Sequence, residues 1–435
     1  MSSVPRRVQA ARAAGQALAA LDGAERSALL SNCAEALQSP AGREHVLAAN
    51  AEDLRLAQAE AAAGGLAPAL VQRLRLDAAK LAGLAEGLRQ LAAQADLVGR
   101  VSLRRELDAG LLLERVSCPL GLLGVVFESR PDALAQIAGL ALRSGNAAVL
   151  KGGREAAHSN QALAELLQGV LAQRGLDPAA LTLLEGREEV RELLALDRLV
   201  DLVVARGSSE FVASVRAQTR IPVMSHAAGI CHLYLHAGAD PQMAAQLALD
   251  AKCSYPAACN AVETLLWDEA AGAALDACVE RLREAGVELR GCPATLARHP
   301  GLEPAVEPDW DAEYGTLVLS IRRVAGLDEA LAHIAAHGSR HTEAIVTGDE
   351  AAARRFLAEV DAAGVYWNAS TRFADGYRYG LGAEVGISTD KLHARGPVGV
   401  DGLLTYRWLL RGHGQCSTEY GPGLRRFSHR DLPLD

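Results

Sequence analysis

Residues 120–150 read LGLLGVVFESRPDALAQIAGLALRSGNAAVL. The apolar run Leu120–Phe127 predicts a strand, and Pro131 introduces a helical pattern over Asp132–Arg143. A second apolar run, Ala147–Leu150, follows after a short polar turn. Strand, helix and strand in close succession predict a parallel sheet with helices on its faces.

The same alternation continues towards the C-terminus in two series. The first series has a helix at Ser159–Gln173 and strands at Leu181–Leu184 and Leu202–Ala205. The second series has strands at Ile230–His236, Glu263–Trp267, Thr316–Ile321, Ala344–Thr347 and Gly364–Asn368. Two such series predict an α/β protein with two parallel-sheet domains, and a cleft between two domains is a common ligand site.

Before the first sheet, the chain is helical and then extended. Helical spacing of Ala and Leu marks Val8–Leu21, Glu25–Leu37 and Ala79–Ala93, and two extended runs, Val101–Glu106 and Leu111–Ser117, predict a β-hairpin. We therefore predict a first α/β domain from residues 1–100 and 118–228, and a second from 229–402. A hairpin at 101–117 and a strand at 403–410 would pair subunits, and 411–435 would form a peripheral tail.

Composition excludes several classes of protein. A formal net charge of −9 over 435 residues argues against a nucleic-acid binder, which needs a basic face. The N-terminal twenty residues lack the continuous apolar stretch of a signal peptide, and no run approaches bilayer-spanning length. Eight cysteines without a Cys-x-x-Cys pair indicate reduced thiols. We expect a cytoplasmic enzyme.

The segment most indicative of chemistry is DAKCSYPAACNAVETLL, which begins at Asp250. Pro256 and small residues lead to Cys259, and Asn260 favours a tight helical turn, whose backbone dipoles would favour the thiolate. Half ionisation at pH 7 needs about 2 kcal/mol, whereas a helix end supplies ~0.3–1 kcal/mol. Nearby donors or a bound cofactor must therefore contribute. Cys253 is the competing candidate, and any single cysteine can instead be a small core residue.

Two strand-to-helix turns are candidate phosphate sites. They carry Lys151-Gly-Gly-Arg154 and Arg206-Gly207-Ser208, while a Gly-x-Gly-x-x-Gly fingerprint is missing from the first sheet. Backbone N–H groups at a helix start bind phosphate oxygens, and Lys151 or Arg154 would add positive charge. The alternative is that these glycine turns are purely structural.

Five separated segments resemble one family. They are PVMSHAAGICH from Pro222, the Cys259 segment, NASTRF from Asn368, GLGAEVGIST from Gly380 and KLHARGP from Lys391. Together they resemble the γ-glutamyl phosphate reductases of the aldehyde dehydrogenase superfamily, over about residues 8–410. Three shorter stretches, including Glu128-Ser-Arg-Pro-Asp, are more similar to the reductase half of Δ1-pyrroline-5-carboxylate synthase.

The resemblance implies an aldehyde dehydrogenase-like fold with a cofactor domain, a catalytic domain and an oligomerisation hairpin. It implies NADPH-dependent reduction of L-glutamyl 5-phosphate to glutamate 5-semialdehyde with phosphate release, the second step of proline biosynthesis. Cys259 would be the nucleophile and would carry a thioester. A homodimer or homotetramer, and association with glutamate 5-kinase, are the expected partnerships, and no metal is expected.

Site residues follow from the matching positions and from their chemistry. The Cys259 backbone N–H, Ser129, Arg130 and Asn260 would stabilise the oxyanion or the phosphate, and Glu313 would hold the nicotinamide ribose. The remaining cofactor residues are Lys151, Arg154, Gly207 and Ser208, and the substrate residues are His226, Asn368, Ser370, Thr371, Arg372, His393 and Arg395. Arg154 beside Lys151 favours a 2′-phosphate and hence NADPH. His226 has the alternative of a core histidine, and Arg130 that of a surface ion pair.

Two rival functions stay open. A hydrolytic aldehyde dehydrogenase acting on a small semialdehyde would need a water-activating base, and His226 stands near the position where such enzymes carry a glutamate. A non-catalytic scaffold for glutamate kinase would have no need of Cys259.

Overall fold

The computed structural model describes residues 3–66, 68–127, 130–225 and 228–434. Five helices form the N-terminal region: α1 (Ser3–Ala20), α2 (Gly23–Gln38), α3 (Pro40–Ala62), α4 (Pro68–Leu74) and α5 (Ala78–Ala93). Asp22 caps α2 in a capping box with Glu25, and Pro40 begins α3, as helix-start chemistry predicts. The expected helical lead is confirmed.

The predicted hairpin and first sheet follow. Strands β1 (Val101–Asp108) and β2 (Leu111–Pro119) pair antiparallel. The chain then forms β3 (Leu122–Phe127), α6 (Pro131–Arg143), β4 (Ala147–Lys151), α7 (Ala157–Gln173), β5 (Leu181–Leu183), α8 (Arg187–Leu194), β6 (Leu202–Arg206), α9 (Ser209–Gln218) and β7 (Val223–Met224). Strands β3–β7 make a parallel sheet in the order β5-β4-β3-β6-β7, so β3 is central and buried throughout.

A seven-stranded parallel sheet forms the second half. Its elements are β8 (Cys231–Leu235), α10 (Pro241–Cys253), β9 (Val262–Asp268), α11 (Gly272–Glu284), β10 (Glu288–Gly291), α12 (Pro293–Arg298), β11 (Glu303–Pro304), β12 (Val318–Val324), α13 (Leu327–His337), β13 (Thr342–Val346), α14 (Glu350–Glu359) and β14 (Gly364–Trp367). The strand order is β11-β10-β12-β9-β8-β13-β14. The two-sheet α/β prediction is confirmed, and β10 and β11 are additions, because charged residues interrupt their apolar pattern.

The C-terminal segment returns to the hairpin. After a small pair, β15 (Ile387–Ser388) with β16 (Gly396–Pro397), strand β17 (Leu404–Arg411) pairs with β2, and β18 (Arg430–Asp431) pairs with β1. The resulting sheet has the order β17-β2-β1-β18. The tail, expected to be merely peripheral, is exposed but bonded to the hairpin: the Ser428 N–H donates to the Leu107 carbonyl at 2.7 Å.

Alanine, leucine and valine build the cores, as the scarcity of aromatic residues predicts. One cluster packs the N-terminal helices and α6 against β3, β4 and β6, and another packs α10 and α11 against the second sheet. No described helix is both long and apolar enough to cross a membrane.

Candidate active site

Cys259 lies in a turn that joins α10 to β9. The Ala258 N–H donates to the Tyr255 carbonyl at 3.1 Å, and the Ala261 N–H donates to the Ala258 carbonyl at 2.9 Å, so the segment consists of successive tight turns. The expected helical turn is therefore wrong. Strand β9 begins only three residues after the cysteine, which leaves no length for a helix, and no helix dipole stabilises the sulfur.

Three neighbours hold this turn. The Asn260 side-chain amide donates to the Ala374 carbonyl at 2.9 Å, and the Cys231 thiol donates to the Cys259 carbonyl at 3.4 Å. Gly229 packs directly on the turn, because a Cβ built on it would lie 2.0 Å from the Cys259 carbonyl oxygen. The nucleophile's backbone is thus fixed from several sides.

The turn opens onto a cavity of about 380 Å³. The charged residues that line it are Arg73, Arg130, Arg206 and Arg372, together with Glu313, Asp375 and Glu384. Four guanidinium groups against three carboxylates give a locally positive pocket in a chain whose net charge is −9. Such a pocket suits an anionic ligand with a phosphoryl group.

The surroundings of Cys259 favour the thiol over the thiolate. Burial raises the pKa of Cys259 to about 12, and the nearby carboxylates of Glu384 and Glu313 add to the rise, while Arg206 opposes it. The ligand-free cavity therefore favours the thiol, and the thiolate stays a prediction that depends on nearby donors or the bound cofactor. A proton acceptor near the sulfur would promote its formation.

Glu384 is placed to be that acceptor. It lines the cavity with Cys259, and one of its oxygens accepts the Gly376 N–H at 2.8 Å. Burial raises the pKa of its carboxyl group, whereas the positive charge of Arg206 counteracts the rise. A carboxyl group in a cleft whose pKa is raised by burial is typical of functional sites.

Comparisons with known proteins show the family to which the chain belongs. Residues 2–293 match the model of the aldehyde dehydrogenase family. The gamma-glutamyl phosphate reductase of Synechococcus sp. (strain JA-2-3B'a(2-13)) is 56% identical over 427 residues, 98% of this chain and 93% of the relative. The chain belongs to the gamma-glutamyl phosphate reductases of the aldehyde dehydrogenase family. The enzyme of that name from Parasynechococcus marenigrum (strain WH8102) is 53% identical and covers 98% of this chain and 97% of its own.

Solved structures show the same relationship. The crystal structure of a gamma-glutamyl phosphate reductase from Thermotoga maritima superimposes with a TM-score of 0.91 at 34% identity, covering 95% of this chain and all of the other. An acetylating aldehyde dehydrogenase from Geobacillus thermoglucosidasius, at 18% identity and a TM-score of 0.67 over 95% and 97% of the chains, shares the fold. The family's fold is thus the one expected from the sequence.

The predicted cofactor residues lie along one sheet edge and in the cavity. Lys151 ends β4, Gly207 follows β6 and lines the cavity, and Glu313 lines the cavity from the second domain. Ser208 caps α9 by accepting the Phe211 N–H at 3.3 Å. Arg154 is exposed and forms an ion pair with Glu60 at 3.0 Å.

The structure separates the predicted substrate residues into two groups. Arg130, Asn260 and Arg372 line the cavity, and the Arg372 guanidinium donates to the Ser254 hydroxyl at 3.1 Å. The other described residues lie outside the cavity lining. Asn368 forms hydrogen bonds with the backbone of Thr347, and Ser370 accepts the Arg372 N–H. Thr371 is buried, His393 is exposed, and Arg395 forms an ion pair with Asp361. Ser129 and His226 lie outside the described residues. The described part of the chain holds no metal-binding group of His, Cys, Asp and Glu.

Replacing Glu384 with glutamine is expected to raise the rate of Cys259 alkylation by iodoacetamide at pH 8. Removing a negative charge lowers the thiol pKa, and below that pKa each unit lowered gives about ten times more thiolate. Peptide mass spectrometry after timed alkylation measures the rate, while turnover is expected to fall because the proton acceptor is lost. Glu188→Gln, on the exposed face of α8, is the control and leaves both unchanged. Slower alkylation in Glu384→Gln would show that the carboxylate instead promotes the resting thiolate.

Proposed function

We propose that this chain catalyses the NADPH-dependent reduction of L-glutamyl 5-phosphate to L-glutamate 5-semialdehyde, with release of phosphate, through a thioester on Cys259. This reaction is the second step of proline biosynthesis. The observation that carries the proposal is a single cysteine facing a cavity lined by four arginines. Identity of 56% over nearly the whole length to a gamma-glutamyl phosphate reductase supports the same assignment.

Two of the arginines suit the two anionic groups of the substrate, Arg130 the phosphoryl group and Arg372 the α-carboxylate. Arg130 is the N-cap residue of α6, so its guanidinium lies at the positive end of that helix and suits the phosphoryl group. Arg372 enters from the loop after β14 and suits the α-carboxylate, while Asp375 in the same loop suits the α-ammonium group. The γ-carbonyl carbon then lies between these ends, beside Cys259.

The residues present fit NADPH. Lys151 and the Gly207–Ser208 turn lie at the carboxyl edge of the first sheet, where nucleotides bind in open α/β folds, and Glu313 would hold the nicotinamide ribose beside Cys259. The Arg154–Glu60 pair is exposed, and such pairs contribute only ~0–1 kcal/mol, so a 2′-phosphate can replace Glu60 as the partner of Arg154. When bound, this cofactor supplies the hydride that the acyl carbon receives.

The chain's own groups carry the covalent steps. Glu384 accepts the proton of the Cys259 thiol, the sulfur attacks the γ-carbonyl carbon, and the carbon–oxygen bond to phosphate breaks. The Cys259 backbone N–H stabilises the developing oxyanion, while Asn260 keeps the turn bonded to Ala374. The proton held by Glu384 passes to the departing phosphate. After reduction, the carbon–sulfur bond breaks, the aldehyde leaves, and the sulfur takes a proton from water.

The oxidative direction tests the proposal. Glutamate semialdehyde and NADP are expected to give NADPH only when phosphate or arsenate is present, because the thioester needs an oxyanion acceptor. Equal turnover without either anion would establish the hydrolytic alternative. Binding of glutamate kinase without any NADP-linked turnover would establish the scaffold.

Arg130→Ala is expected to raise the KM for phosphate in that direction by about 10- to 100-fold, since a hydrogen bond to a charged group contributes roughly 1.5–3 kcal/mol. Initial rates at varied phosphate measure it. Arg191→Ala, which breaks an exposed pair with Glu188 on α8, serves as the control and leaves the KM unchanged. A rise in the KM for semialdehyde alone would assign Arg130 to the carboxylate.

The hairpin sheet carries the proposed oligomer contact. Strand β17 is an edge strand, and Tyr406, Trp408 and Leu410 are exposed along it, so it suits pairing with a second copy into a dimer or tetramer. The eight free cysteines support a cytoplasmic enzyme. Association with glutamate 5-kinase stays a prediction.

A further inference from the structure

The turn that carries Cys259 has a buried charge at each end. Lys252 lies in the last turn of α10, and Glu263 is the second residue of β9. Their side chains are 0% and 1% exposed, and the Lys252 ammonium donates to the Glu263 carboxylate at 2.5 Å. The pair therefore joins the two ends of the segment that presents the sulfur.

The same pair also reaches the segment that carries Glu313. The second carboxylate oxygen of Glu263 accepts the Gly315 N–H at 3.3 Å, and the Lys252 ammonium lies 5.8 Å from the centre of the Tyr314 ring. The Tyr314 hydroxyl is itself fixed, because it donates to Asp309 at 2.9 Å. Tyr314 and Gly315, the two residues that follow Glu313 in the chain, thus both contact the ion pair.

Stability alone gives no reason for these charges. Replacing a buried ion pair with apolar side chains of similar volume is often neutral or stabilising, because the pair must be removed from water. What an apolar pair cannot supply is an acceptor for the Gly315 N–H or a cation over Tyr314. The buried charges of Lys252 and Glu263 are explained by the backbone that they hold in place, namely the Cys259 turn and the Glu313–Gly315 segment.

We infer that Lys252 and Glu263 form a positioning pair that couples the Cys259 turn to the Glu313–Gly315 segment. The coupling keeps the Cys259 sulfur and the Glu313 carboxylate at a fixed distance and orientation across the cavity. For catalysis this inference rests on the proposed function, in which Glu313 holds the cofactor's ribose, whereas the mechanical coupling itself does not.

Hydrogen exchange of the ligand-free protein tests the coupling directly. Lys252→Met/Glu263→Leu is expected to keep or raise the Tm, and to speed amide exchange about tenfold in both 254–261 and 313–317. Lys252→Met/Glu263→Gln retains an acceptor for Gly315 and is expected to restore protection of 313–317. Asp96→Asn, which breaks the pair with the buried Arg26 outside the cavity lining, is the control and leaves both segments unchanged. Faster exchange in only one segment of the apolar variant, or a lowered Tm with general loosening, overturns the inference.

NADPH binding provides the second measurement, made by nucleotide fluorescence without any substrate. We expect NADPH binding to weaken about tenfold in Lys252→Met/Glu263→Leu and about tenfold in Glu313→Gln. The variant with all three changes is also expected to lose only about tenfold, because the double change and Glu313→Gln act through the same Glu313 carboxylate. A combined loss of about a hundredfold would show independent effects and overturn the coupling. Failure of the proposed function would instead appear as wild-type protein without phosphate-dependent turnover, and the exchange result would be unaffected.

Discussion

Cys259→Ala is expected to lower kcat by roughly 10⁴- to 10⁶-fold, the range seen when a covalent nucleophile is removed. The cavity offers no second thiol among its described lining residues, and the adjacent Cys231 is fully buried behind the turn, so it cannot replace Cys259. Turnover in the oxidative direction measures the loss. Intact-protein mass spectrometry with an acyl-phosphate analogue measures the covalent adduct, which the variant should lack.

Cys253→Ala is the matched control, because Cys253 ends α10 only six residues earlier and does not line the cavity. Burial raises its pKa, as it does for Cys259, so the two thiols differ in position and not in resting protonation. The control is expected to keep both turnover and adduct. An adduct that survives Cys259→Ala but disappears in Cys253→Ala would move the nucleophile to the other cysteine.

Gly229→Ala is expected to lower kcat by about 100-fold, the effect of a misplacement near 1 Å at a reacting group. The new Cβ would lie 2.0 Å from the Cys259 carbonyl oxygen and 2.5 Å from its Cα, and both are backbone atoms that cannot rotate away. The turn must shift, and overpacking of this kind costs ~1–3 kcal/mol of stability. Steady-state rates and the Tm measure the two effects.

Gly169→Ala supplies the comparison for that experiment. Gly169 lies in α7, and a Cβ added there would meet no atom within 4 Å beyond the helix's own backbone, so alanine fits and favours the helix by about 0.5–1 kcal/mol. It should raise the Tm slightly and leave kcat unchanged. Full activity in Gly229→Ala would show that the turn tolerates displacement and that the sulfur's position is set elsewhere.

The fold was predictable from sequence where local pattern and tertiary structure agree. The apolar runs Leu120–Phe127 and Ala344–Thr347 overlap the buried strands β3 and β13, and a continuous apolar run is typical of a strand buried in a parallel sheet. Strand β10 was not predicted because Glu288 and Arg290 alternate with its buried residues, and its position beside the short edge strand β11 permits that exposure.

The candidate site was only partly predictable. Cys259, Arg130 and Arg372 stand in recognisable segments, but the turn conformation of Cys259 depends on contacts with Gly229, Cys231 and Ala374, and no local pattern predicts these contacts. Glu384 and Arg206 stand in glycine-rich segments, the one that begins at Gly380 and the turn at Gly207. Their charge beside those glycines is the signal that indicates a role in the site. Arg73 reaches the cavity from α4, and that contact across the fold leaves no trace in local pattern.

The position of β18 has a consequence for assembly. Strand β18, only two residues long, covers part of the outer side of β1, which leaves β17 as the long exposed edge of the four-stranded sheet. A single self-complementary edge closes on itself after two copies, with two-fold symmetry, and growth stops there. Two open edges on one sheet would permit head-to-tail addition without limit. Arg425 on Asp108 and Arg430 on Glu106 hold the C-terminal segment against β1, so in the proposed oligomer this segment would favour a closed assembly over a fibre.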